Sequence, residues 1–162
     1  MRIVLLASST LAGLLCIAPV RHPVDVDAAK AELLALHQAD RRAHFARDVD
    51  ALVATLPPEF KFTFVRDGRI ETQSKDDLRR RFTEYFRGAE FSAWDDLEPP
   101  IVRISPDGQM GCMIVRVKIA YTKTDAAGKK QSEQTVMAWM SAYEKRDGKW
   151  LHVANTTTVE PQ

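Results

Sequence analysis

The stretch at 135–158, TVMAWMSAYEKRDGKWLHVANTTT, admits few folds. Two strand-like runs flank Asp147-Gly148, a pair that tolerates the positive φ angles of a tight hairpin turn. On the first run Thr135, Met137, Trp139, Ser141 and Tyr143 alternate with Val136, Ala138, Met140 and Ala142. Both faces are largely apolar. A sheet with one wet face alternates apolar with polar residues, so both faces are expected to be covered. Helices can cover one, and a second subunit is the simplest cover for the other. On the return run strict alternation puts Leu151, Val153, Asn155 and Thr157 on one side. Trp150, His152, Ala154 and Thr156 fall on the other.

The upstream elements look built to pack against this hairpin. Residues 28–46 are rich in Ala and Leu and lack Gly and Pro, which favours a helix. Asp48 can cap a short second helix carrying Val49, Leu52, Val53 and Leu56, and Pro57-Pro58 ends it. Residues 59–71 read as a hairpin around Asp67-Gly68, with Phe60, Phe62 and Phe64 on one face. Ser74 is an N-cap, and Asp77 suits the first turn of the helix it opens. That helix presents Leu78, Phe82, Tyr85 and Phe86 on one side and stops at Gly88. Residues 90–100 carry Phe91 and Trp94, then a Pro-Pro pair. Four strands follow: 101–105, 110–123 and the two arms of the closing hairpin. Helices segregated from a mostly antiparallel sheet make an α+β domain.

The N-terminus differs in character. After Arg2 no charge occurs from Ile3 to Val20, the outline of a secretory signal peptide. Residues 1–20 are assigned to it, with the cut site left open because Pro19 is a poor residue at a scissile bond. An uncleaved anchor or a buried helix are the alternatives. Residues 21–27 read as a linker and 28–160 as one domain. The expected location is periplasmic or secreted, with no membrane contact after the signal is removed. Formal charge is +1, from 23 basic and 22 acidic residues, which gives no field to draw nucleic acid or an anionic membrane. Loss of Cys16 with the signal leaves Cys112 alone, so no internal disulfide can form. Its apolar strand suggests core packing.

Four local segments carry a resemblance: Asp48-Val49-Asp50-Ala51-Leu52 after Ala43-His44, Phe82-Thr83-Glu84-Tyr85-Phe86, residues 99–108 (PPIVRISPDG), and residues 143–150 (YEKRDGKW). Together with the element order they resemble the nuclear transport factor 2-like superfamily, more closely its SnoaL-like branch. The resemblance implies a cone-shaped α+β roll, a curved mixed or antiparallel sheet wrapped around three helices to leave a pocket. Its members include ketosteroid isomerase, polyketide cyclases and scytalone dehydratase, and they often dimerise through the outer sheet face. The isomerase constellation has no match here: residues 60–65 and 115–121 contain no Asp. Residues 154–158 also lack the His that a related SnoaL-like pattern carries near the end of the last strand.

On the first helix His37, Asp40 and His44 fall within about 60° of arc. Two imidazoles and a carboxylate can share a proton or hold a metal. Helical spacing alone is weak grounds for a metal, and neither metal nor cofactor is assigned. His44 is the candidate base, with Asp40 or His37 orienting it. Phe62, Trp94, Tyr121, Trp139 and Asn155, with His37, are the candidate ligand contacts. Arg116 and Lys118 share a strand face with Cys112, Ile114 and Ala120. A solvated face, or acids paired across a dimer seam, accounts for them better than an anion site does. The expected function is an exported domain that binds a small apolar molecule. An isomerase, cyclase or dehydratase-type enzyme and a protein-interaction module are the alternatives.

Overall fold

The computed structural model describes residues 24–59 and 61–161. The proposed signal segment and Phe60 lie outside them. Helix α1 spans Val26–Ala46 and begins earlier than composition suggested, because the Asp25 side chain accepts the Ala28 N–H at 2.9 Å and caps it. Helix α2, Val49–Ala54, is capped in the same way by Asp48. Strands β1, Phe62–Arg66, and β2, Arg69–Gln73, form the first hairpin. Helix α3, Lys75–Phe86, opens on a reciprocal capping box. The Asp77 amide donates to Ser74 Oγ at 3.2 Å, and the Ser74 amide donates to the Asp77 carboxylate at 3.0 Å.

Five strands follow α3, where four were expected: β3 (Ala89–Asp96), β4 (Ile101–Ile104), β5 (Met110–Thr124), β6 (Lys130–Arg146) and β7 (Lys149–Val159). Strand β3 lacks a clean two-residue period for a physical reason. Its pairing with β5 slips between Phe91 and Ala93, leaving Ser92 as an extra residue. Such a bulge reverses the alternation, so Phe91 and Trp94 both face inward although they are an odd number of residues apart. Gly88 precedes the strand at φ +69°, and a Cβ there would lie 2.5 Å from the Thr124 carbonyl oxygen. Only glycine fits that approach.

The seven strands form one curved, open sheet ordered β2-β1-β7-β6-β5-β3, with β4 also on β5. The β1–β7 pair is parallel and the rest are antiparallel. The sheet's inner face packs against α1 through Leu33, Val102, Met113, Val115 and Val117, all buried. A smaller cluster of Val53, Leu56, Phe62 and Leu78 ties α2 and α3 to β1.

The outer face is also apolar along one line. Ile70, Val65, Thr156, Met140, Ile114 and Ile101 are consecutive cross-strand partners running from β2 to β4. Its five apolar members are 40–76% exposed. Cys112 lies half-buried on this outer face, paired with Ala142 and Arg103. It is therefore not a core residue: strict alternation along β5 gives the interior to Met113 and Val115. Arg116, on the same face, meets Glu160 at 3.4 Å and Glu98 at 3.6 Å within its own chain.

Candidate functional site

Between the helices and the concave face lies a cavity of about 370 Å³. Helix α1 supplies His37, Asp40 and His44 to it. Helix α3 supplies Leu78, Arg81, Phe82 and Tyr85. The sheet supplies Phe62, Phe64, Trp94, Trp139, Tyr143, His152 and Asn155.

The three polar residues of α1 all line the cavity but do not act as one group. His37 is 3% exposed, and its Nε2–H donates to the Asp96 carboxylate at 2.7 Å. Its partner thus comes from the strand that sequence periodicity missed. His44 Nδ1–H donates to the Asp40 backbone carbonyl at 2.8 Å, inside the helix. This fixes the tautomer and leaves the Nε2 lone pair available. The His44 ring sits among Phe86, Phe91 and Trp94 at centroid distances of 5.2–5.6 Å. Asp40 therefore orients His44, but through its main chain and not through its carboxylate, and His37 takes no part.

The Asp40 carboxylate has no hydrogen-bond partner among the described residues. It lies deep in the molecule, and the surface it keeps faces the cavity. Burial raises its pKa, and the nearby His44 and His37 only partly offset this. Among the described residues no three His, Cys, Asp or Glu come together as a metal site.

Of the other expected contacts, Phe62, Trp94, Trp139 and Asn155 line the cavity. Asn155 is already committed: its Nδ2 donates to Ser141 Oγ at 3.2 Å, and its Oδ1 accepts from Thr157 at 2.5 Å. Tyr121 is not part of the lining. It packs behind the wall against Phe91 and Tyr85, and its hydroxyl donates to Glu133.

His152 was assigned to the side opposite Asn155, yet both line the cavity. The β6–β7 pairing slips between Ala142 and Tyr143: His152 pairs with Tyr143 and Ala154 with Ala142, leaving Val153 extra. This bulge again reverses the alternation. The His152 ring stacks on Tyr143 at 4.8 Å and meets the edge of Phe62 at 4.7 Å. Burial lowers its pKa to about 4, with an Ala154 backbone hydrogen bond opposing the shift. The imidazole is therefore neutral at pH 7. Its Nε2, like the indole Nε1 of Trp94, is buried with no partner. Burial pushes the Tyr85 and Tyr143 phenols upward as well, so both stay protonated.

Similar architecture recurs in solved structures. An NTF2-like protein from Cytophaga hutchinsonii superposes with a TM-score of 0.62 at 17% identity, covering 81% of this chain and 98% of that one. An NTF2-like protein of unknown function in nutrient uptake from Rhodospirillum rubrum gives 0.61 at 17%, covering 80% and 98%. A ketosteroid isomerase-like protein from Erwinia carotovora atroseptica gives 0.58 at 20%, covering 82% and 96%. At these identities the likeness shows the fold alone. No curated protein matches the chain. The family model described as SnoaL-like domain matches residues 38–153, from the cavity-facing half of α1 through the bulge in β7. On that match and this architecture, the chain belongs to the SnoaL-like domain family.

Proposed function

We propose that this domain binds a small, mostly apolar molecule inside the cone. The observation that carries the reading is the concentration of unpartnered polar groups on an otherwise aromatic wall. The Asp40 carboxylate, the Trp94 indole N–H and His152 Nε2 all lack protein partners there. A buried donor or acceptor left unpaired costs about 1–3 kcal/mol. Two such atoms in the lining of one cavity, with a half-buried carboxyl facing the same space, make sense when a guest completes them. The volume falls within the usual range for small-molecule sites.

The neutral dye N-phenylnaphthylamine tests this by its fluorescence gain. The wild-type chain is expected to bind it saturably. An Ala51→Trp variant, which places a large side chain on an exposed lining position of α2, is expected to lose that binding. Dye binding undiminished by the blocking residue would remove the cavity from the account.

Asp40 favours a second reading, proton transfer to or from the guest. A carboxyl with raised pKa beside an imidazole of fixed tautomer is suited to acid–base work. It replaces His44 as the leading catalytic candidate. Under this reading Asp40→Asn abolishes deuterium exchange at the α-carbon of a bound cyclic ketone, followed by proton NMR, while saturable dye binding persists. Equal exchange in both proteins would eliminate it.

The setting is also proposed: an exported chain, periplasmic or secreted, working as a homodimer. The uncharged segment from Ile3 to Val20 supports export. The exposed apolar line across the outer sheet face supports self-association. Light scattering on the eluting protein checks the dimer, and a monomeric mass would contradict it.

A further inference from the structure

Arg81 is out of place on α3. Leu78, Arg81, Phe82 and Tyr85 follow the three- and four-residue spacing of one helix face, and all four line the cavity. A stripe that faces a cavity wall is ordinarily apolar throughout. The Arg81 guanidinium lies over the Phe64 ring, 5.1 Å from its centroid. Among the described residues it makes no hydrogen bond and no ion pair. Its neighbours differ: Arg79 pairs with Asp50 and Arg80 with Asp77 on the helix, and Arg87 just past its end pairs with Glu84. The acid that acts on Arg81 is Glu71, and its carboxylate is held by Arg66 at 3.0 Å. One carboxylate thus faces two guanidinium groups. Partial burial pulls the Arg81 pKa down, with Arg66 adding to the effect, yet an arginine stays charged at pH 7. The result is an exposed cation at the rim of the cavity, seated on an aromatic ring, whose one neighbouring acid is already paired with Arg66.

Two other groups of the lining add to this. The buried Trp94 N–H seeks an acceptor, and Asp40 contributes a carboxyl without a hydrogen-bond partner among the described residues. A guest that pairs with Arg81 gains further from a neutral acceptor on its body.

We infer that the cavity is built for an amphipathic anion: an apolar ring or short-chain body bearing one carboxylate or equivalent acid group, which pairs with Arg81 at the rim. The inference rests on the binding reading above and names the ligand class. The apolar body fills the aromatic interior, and a neutral acceptor on it reaches Trp94. The forked guanidinium suits a two-oxygen acid group better than an ammonium would.

Two dyes separate the parts of this reading. Anilinonaphthalene sulfonate and N-phenylnaphthylamine share one fluorescent body and differ by the anionic group. The full chain is expected to bind the sulfonate about tenfold more tightly, the worth of one charge-assisted contact. Arg81→Gln should bring the sulfonate down to the affinity of the neutral dye and leave the neutral dye unchanged. Arg81→Lys should keep part of the preference. Equal affinities in the wild type, or an unchanged sulfonate affinity in Arg81→Gln, would overturn the anion assignment while the pocket stands. Sulfonate binding that survives Ala51→Trp would place the dye outside the cavity and overturn it too. Absence of binding by either dye would overturn both readings together.

Discussion

Replacing Trp94 by alanine is expected to lower the unfolding free energy by about 3–5 kcal/mol, the range for deleting a large buried aromatic. Trp94 is 1% exposed and stands where the helices meet the sheet. It contacts His37 and His44 at 5.2 Å and Trp139 at 5.7 Å between ring centroids. Removal of its ring merges its own volume with the existing cavity, so the neighbours have nothing to collapse onto. Trp94→Phe should cost distinctly less. It keeps most of the aromatic contact and deletes an N–H that has no acceptor. Urea midpoints at constant slope measure both variants. A Trp94→Ala loss below about 1 kcal/mol would mean that the residue is not the packing centre described here.

The second large effect concerns acid. His152 titrates near 4 in the folded chain and near 6.5 when unfolded. Between those values the unfolded chain takes up the proton and the folded chain does not. Stability from this residue is therefore full above pH 6.5 and is lost as pH falls toward 4, by about 3 kcal/mol in all. His152→Phe keeps a ring against Tyr143 and Phe62 and removes the titrating nitrogen. Its stability should fall less than that of the wild type between pH 7 and pH 4, by roughly that amount. Asp40 acts in the opposite direction. Its pKa is raised in the fold, so its cost grows as pH rises past 3.8. The two slopes partly cancel in the wild type, and the His152 slope stands clear in an Asp40→Asn background. Urea titrations at stepped pH would contradict the assignment if His152→Phe kept the wild-type acid slope.

The parts of the fold legible in the sequence are those fixed by local rules. Asp48 and Ser74 cap helices, and Asp67-Gly68 and Asp147-Gly148 turn hairpins. Two of the parts that were not legible share one cause. A bulge shifts the two-residue period by one, and periodicity cannot show where that happens. The bulge at Ser92 hid β3, and with it Asp96, the partner of His37. The bulge at Val153 turned His152 inward beside Asn155, against strict alternation. On α1 the spacing put His37, Asp40 and His44 on one helix face, and all three line the cavity. It could not show that a distant carboxylate would take His37, or that His44 would bond to its own helix. Arg81 went unread because one charge in the run Arg79-Arg80-Arg81 looks solvated until the neighbouring acids are placed.

The three tryptophans supply the most direct measurement. Trp94 and Trp139 line the cavity, whereas the Trp150 indole N–H donates to Glu32 at 2.7 Å outside it. In a proton–nitrogen correlation spectrum each gives one indole signal. Addition of N-phenylnaphthylamine should shift the Trp94 and Trp139 signals and leave Trp150 in place. A saturating shift confined to Trp150, or no movement of Trp94 when the dye is bound, would contradict a guest inside the cone.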